Sequence, residues 1–129
     1  MKIYVAGRMS ERDEVKRIYA LLKKSGHEIS VDWTWHKNIK PYDKNSKVAR
    51  DYSIEDMDGV IDCDIFILLT SESPGSGSAG ELGAAILSQI KLGKPKIYVV
   101  GQYMGNNFFY FHPTVVRRNT IDEVLKELK

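Results

Sequence analysis

A chain of 129 residues is long enough for one domain with a real hydrophobic core and too short for two comfortable ones. Its 43% hydrophobic and 28% charged residues are ordinary for a soluble globular protein, and 19 basic against 17 acidic side chains leave a formal net charge of +2. That balance excludes the broad one-signed field of a nucleic-acid or membrane-surface binder, and a lone Cys63 excludes an internal disulfide. No apolar run reaches membrane-spanning length and Met1 opens no signal-peptide layout, so a cytoplasmic protein is expected.

Lys2–Ala6 reads as a first strand. Gly7-Arg-Met-Ser10 is a short loop onto a helix expected to be capped by Ser10, with Glu11 and Asp13 in its first turn. Val15, Ile18, Tyr19 and Leu22 repeat at helical spacing as a core face, and Gly26 supplies the stop. Glu28–Asp32 alternates as a second, shorter strand nearer a sheet edge, and the helical crossover between the two suits a right-handed parallel pair.

From Trp33 to Ser46 the chain is irregular, and so long a connection in a small domain suggests a lid or binding loop. Trp33 and Trp35 either plug the end of the sheet or form a flat wall on which a nucleobase stacks. Lys37, Lys40, Lys44, Lys47 and Arg50 face the single acid Asp43, which makes this either a solvated loop or, beside a cleft, an attractor of phosphate. Lys47–Ile61 reads as a helix with an apolar stripe of Ile54, Met57, Val60 and Ile61; Asp51, Glu55, Asp58 and Asp62 take its polar side, and Asp56 lies beside the stripe, placed to point at the sheet end.

Asp64–Thr70 has the length and composition of a buried strand, and Leu82–Leu92 is a helix stopped by Gly93 and Pro95. Lys96–Val100 is a fourth strand. A second irregular stretch, Gly101–Pro113, carries Asn107, the aromatic run Phe108–Phe111 and His112; a short strand at Val115 and Val116 and a helix from Ile121 to Leu128 capped by Thr120 end the chain. Alternating strands and helices predict one doubly wound α/β domain over residues 1–129, a mostly parallel five-stranded sheet with helices on both faces in the flavodoxin-like, Rossmann-like manner. In that order strands one and three are neighbours, so the loops beginning at Gly7 and Ser71 should flank one crevice.

Between the third strand and its helix lies a turn containing Gly75, Gly77 and Gly80, with Glu81 at its mouth. Ser78-x-x-Glu81 is also a capping-box pattern, which would occupy the glutamate in holding the helix start. Gly75-x-Gly77-x-x-Gly80 spells the dinucleotide fingerprint, but it follows the third strand instead of the first, and Val99-Val100-Gly101-Gln102 lacks the acid that would bind ribose; an oxidoreductase is therefore the last choice. A glutamate in the first helical turn is expected to be held ionised by the macrodipole and free amides, as a nucleophile needs. Asp56, in a drier setting, would keep its proton and serve as an acid, the division of labour by which glycosidic bonds are cleaved. The histidines His27, His36 and His112 lack metal-ligand spacing; His36 or His112 would at most line a pocket.

The segments Lys2-Ile-Tyr4-Val-Ala-Gly7, Asp56-x-x-Gly-Val-x-x-x-Asp64, Gly75-Ser-Gly-Ser-Ala-Gly-Glu81-Leu-Gly-Ala-Ala and Gly93-Lys-Pro95 together resemble the nucleoside 2-deoxyribosyltransferase family, which includes the 2'-deoxynucleoside 5'-phosphate N-hydrolases. The resemblance runs through most of the chain. It implies an enzyme that cleaves or exchanges the N-glycosidic bond of a nucleoside or its 5'-monophosphate, with Glu81 attacking C1', Asp56 assisting and Tyr4 holding the glutamate. Gly7, Arg8, Ser10, Trp33, Trp35, Gly75, Ser76, Gly77, Ser78 and Asn107 become the expected substrate-binding residues. It further implies no metal or organic cofactor, no nucleic-acid polymer as partner, and a homodimer or larger assembly in which a neighbour completes the site; Phe108–Phe111 then reads as core or subunit interface. Two departures lean towards a phosphorylated substrate. Gly75 stands where transferases carry a second acid, and Arg8 stands where nucleotide hydrolases have a serine and can pair with phosphate bidentately. A transferase acting on unphosphorylated nucleosides and a non-catalytic nucleotide-binding module remain the alternatives.

Overall fold

The computed structural model describes residues 1–73 and 75–129, so Pro74 in the glycine-rich turn lies outside the described residues. Five strands, β1 (Lys2–Ala6), β2 (Glu28–Ile29), β3 (Ile65–Leu69), β4 (Lys96–Val100) and β5 (Val115–Arg118), form one sheet in the order β2-β1-β3-β4-β5, with every pairing parallel. Helices α1 (Arg12–Lys24), α2 (Ser46–Asp62), α3 (Ser76–Leu92) and α4 (Ile121–Glu127) alternate with them. Right-handed crossovers put α1 on one face and α2 and α3, which pack on each other, on the opposite face. The flavodoxin-like order is as expected. The three inner strands are buried along nearly their whole length, which is why β1, β3 and β4 are nearly continuous apolar runs.

The second strand is shorter than the alternation of Glu28–Asp32 predicts, because its ladder with β1 holds only Glu28 and Ile29. Ile3 carbonyl accepts the Ser30 amide, and Val5, two residues further along β1, faces the same side with no strand beside it. Side chains take over: the Trp33 indole donates to the Val5 carbonyl at 2.7 Å, and the Tyr19 hydroxyl accepts from the Val5 amide at 3.3 Å. Buried backbone groups must be answered somehow, and here two aromatic side chains replace a strand end.

Two helix details also depart from expectation. Ser10 does not cap α1. A 3-10 turn, Met9–Glu11, precedes the helix, and the Glu11 carboxylate accepts the Arg8 amide at 3.0 Å, leaving Ser10 exposed. In α2 only Gly59 and Val60 are buried, while Ile54, Met57 and Ile61 face outwards. The cause is Gly59: a Cβ there would stand 2.6 Å from Val31 Cγ2 and 3.1 Å from the Tyr4 ring, so the helix can press its backbone onto the sheet only through glycine. That close approach turns the larger apolar residues away and brings Asp56, one turn earlier, over the end of β1.

Candidate active site

At the carboxyl ends of β1 and β3, where the winding of the sheet reverses, lies a cavity of about 510 Å³. The loop after β1 contributes Gly7, Arg8 and Ser10; the start of α3 contributes Gly75, Ser76, Gly77, Ser78 and Glu81; Trp33 and Asp56 complete the part that the sequence foreshadows. Tyr4 is fully buried behind the wall, and its hydroxyl donates a hydrogen bond to Glu81 Oε2. Its ring lies parallel to that of Phe66 on the neighbouring strand, 5.8 Å away, which fixes the direction of the hydroxyl. Trp35 and Asn107 do not line the cavity. Trp35 is 59% exposed and packs edge-on against His36 and Tyr52, and the Asn107 side chain caps the 3-10 turn Phe108–Phe111 by accepting the Phe109 amide at 2.9 Å.

The glycine-rich segment is less of a loop than its composition suggests. Helix α3 already begins at Ser76, with Gly75 at the N-cap, so Ser78 and Glu81 form no capping box and Glu81 sits in the second turn. The free amides of the helix start therefore belong to Ser76–Ser78 and not to the glutamate. This reverses the expected electrostatics. Burial, reinforced by the nearby Asp56 charge, outweighs the Tyr4 hydrogen bond and pushes the Glu81 carboxyl up to about 7. Asp56 is raised less, to about 6, by burial and by Glu55 against the opposing pull of His36. Tyr4 itself is driven well above the ordinary phenol range by burial and by Glu81, so it is a proton donor at every working pH.

Across the cavity from α3, the segment between β2 and α2 supplies a wall, as the length of that irregular stretch suggested, while the pairing of His36 with Glu55 and Asp56 was not foreseen. His36 is 4% exposed, its ring stacked on Tyr52 at 3.8 Å, with Nδ1 3.9 Å from Asp56 Oδ1 and Nε2 3.4 Å from Glu55 Oε1. Lys37, Ile39, Lys40, Tyr52 and Ser53 also line the space. The sequence signal was present but weak: a histidine next to a tryptophan in a long loop, and a tyrosine four residues before Asp56 on the same helical face. On the other side the Arg8 guanidinium donates to the Ser73 carbonyl, tying the loop after β1 to the turn after β3.

No family model and no curated protein matches this sequence. Among solved structures, the CMP N-glycosidase BcmB of Clostridium botulinum aligns over 99% of this chain and 97% of its own, with a TM-score of 0.60 and 19% sequence identity. The fold is shared. At that identity the likeness is one of architecture, and the roles of individual side chains rest on the cavity itself. Among the described residues no cluster of His, Cys, Asp and Glu is arranged to hold a metal ion, and no helix is long and apolar enough to cross a membrane.

Proposed function

We propose that this chain is an enzyme of the nucleoside 2-deoxyribosyltransferase type that cleaves the N-glycosidic bond of a nucleoside 5'-monophosphate. The observation that carries the reading is a pair of carboxyls, Glu81 and Asp56, both raised into the neutral range and both facing one cavity, with a buried tyrosine aimed at the first. The fold neighbour's name as a CMP N-glycosidase supports the same chemistry. A non-catalytic nucleotide-binding module is disfavoured because two carboxyls in the cavity would weaken binding of an anionic ligand.

Glu81 acts through its ionised oxygen, which attacks C1' as the bond to the base breaks. The electron pair of that bond passes to the base nitrogen, which takes a proton from Asp56. The resulting glycosyl ester is opened by water at C1', whose proton returns to Asp56 while Glu81 leaves as carboxylate. Positive charge developing at the sugar favours the glutamate's ionised form at the moment it is needed, and the Tyr4 hydroxyl supports that form by hydrogen bonding. The free amides of Ser76–Ser78, the Ser10, Ser76 and Ser78 side chains and Arg8 belong to residues that line the same cavity, and they are the groups suited to seat a 5'-phosphate.

The test is release of free base from a panel of nucleosides and 5'-monophosphates. The 5'-monophosphate should be turned over better than its nucleoside, and Arg8→Ala should remove most of the difference by raising KM about tenfold, the usual order for one charge-assisted contact. No base release from any member would refute the reading, and equal kcat/KM for nucleoside and nucleotide would remove the phosphate seat. Exchange onto an added free base would favour the transferase. A homodimer belongs to the same proposal: Ile54, Met57 and Ile61 on α2, Leu87 and Ile90 on α3, and Phe108, Phe109 and Phe111 all expose apolar surface of the kind monomers cover. Sedimentation at micromolar concentration should show a dimer or larger, and a monomer would count against a site completed by a neighbour.

A further inference from the structure

His36 stands between two acids that differ in their access to water. Asp56 faces the cavity, while Glu55 lies on the outer side of α2 with its side chain 39% exposed. The imidazole is clamped from the remaining directions by the parallel Tyr52 ring and the edge of Trp35. Its Nε2 and the Asp56 Oδ1 are both enclosed and make no hydrogen bond, although each points at a partner. A neutral imidazole carries one N–H, so the two acids compete for it. The Glu55 oxygen 3.4 Å from Nε2 is an acceptor answered best by an N–H on that nitrogen. Nδ1 is then a bare acceptor facing Asp56, an arrangement that favours a protonated Asp56 and penalises its carboxylate.

Resting on the catalytic reading above, we infer that Glu55 is a positioning residue: it selects the Nε2–H tautomer of His36, so that Nδ1 faces Asp56 as an acceptor and the proton stays on the cavity acid until the leaving base takes it. Once Asp56 has given up that proton, its carboxylate faces the bare Nδ1, and the proton that the attacking water returns to Asp56 restores the resting arrangement. The groups facing His36 are Glu55, Asp56 and Tyr52 from α2 and Trp35 from its own turn. Glu55 thus acts on the reaction without touching substrate.

The experiment compares wild type, Glu55→Ala and Glu55→Gln, with the full chain labelled at histidine nitrogen. In wild type without substrate, at a pH where the imidazole is neutral, the nitrogen spectrum should report Nε2–H as the major tautomer of His36. Glu55→Ala should shift that ratio towards Nδ1–H and lower kcat about tenfold with KM unchanged, while Glu55→Gln, whose amide oxygen still accepts from Nε2, should restore both within a few-fold. An unchanged tautomer ratio in Glu55→Ala would overturn the inference, as would a changed ratio with wild-type kcat. The spectrum needs no substrate, so the tautomer result stands or falls independently of whether the wild type releases base.

Discussion

The two ends of this sheet both gather acids around a hollow, and they use them in opposite ways. At the amino ends of the strands, Lys2, Glu28, Asp62, Asp64 and Lys94 surround a space of about 360 Å³. Asp64 accepts the Lys2 amide at 2.8 Å and lies 3.7 Å from Lys94 Nζ, and Asp62 pairs with Lys2 Nζ at 2.9 Å. The amide hydrogen bond above all holds the Asp64 carboxyl below its usual range. At the carboxyl ends, among the described residues, Glu81 and Asp56 have no cation paired to them other than what His36 can offer, and both are raised. A carboxylate answered by amides and ammonium groups is framework; one buried in a cavity with only a neutral hydroxyl or an imidazole beside it has a proton to trade. Proximity of acids to a hollow does not distinguish the two, and desolvation without a compensating cation or amide does.

The sharpest test removes Glu81. Glu81→Gln keeps the Tyr4 hydrogen bond but cannot attack carbon, so base release should fall by roughly 10³-fold or more while the circular dichroism spectrum is unchanged. Because the folded value of about 7 lies above the ordinary 4.5, the Glu81 contribution to stability is full below pH 4.5 and is lost as pH rises through 7. Glu81→Gln should abolish that slope and melt higher at pH 8, by at most ~3 kcal/mol. Near-normal turnover by this variant would end the nucleophile assignment.

Asp56→Asn should slow base release by about 10²-fold, the usual order for a positioned proton donor. With groups titrating near 6 and 7, wild-type kcat/KM should trace a bell whose maximum lies between those values. Asp56→Asn should leave only the rising limb, displaced to lower pH because the Asp56 charge no longer opposes ionisation of Glu81. A wild-type rate flat from pH 5 to 8 would show that neither acid titrates in the reaction.

The smallest effect is expected at the opposite end of the sheet. Asp64→Asn should leave kcat and KM unchanged and cost under about 1 kcal/mol at pH 7, since its partners are substantially solvated. Its depressed carboxyl contributes stability above pH 3.8 that is lost as pH falls through the folded value, so the wild type and the variant should converge in acid. Any loss of activity in Asp64→Asn would break the contrast between the two ends.

The periodicity of the sequence was enough to determine the alternation of strands and helices, and with it the parallel sheet, because apolar runs of β3 and β4 and the spacing of Val15, Ile18, Tyr19 and Leu22 each have one economical burial. The glycine-rich turn after β3 and the carboxylates at 56 and 81 were legible as well, since turn chemistry and helical spacing are local. What only the tertiary structure decided depends on neighbours far apart in sequence. The close approach at Gly59 turned Ile54, Met57 and Ile61 of the α2 stripe outwards and left only Val60 of it buried, contrary to its spacing. The early start of α3 moved Glu81 away from the free amides and left burial to set its proton affinity. His36 joined Asp56 and Glu55 only because the loop after β2 folds back over α2. Local pattern fixes which residues share a face, whereas desolvation and pairing, which govern charge, are properties of the assembled surroundings.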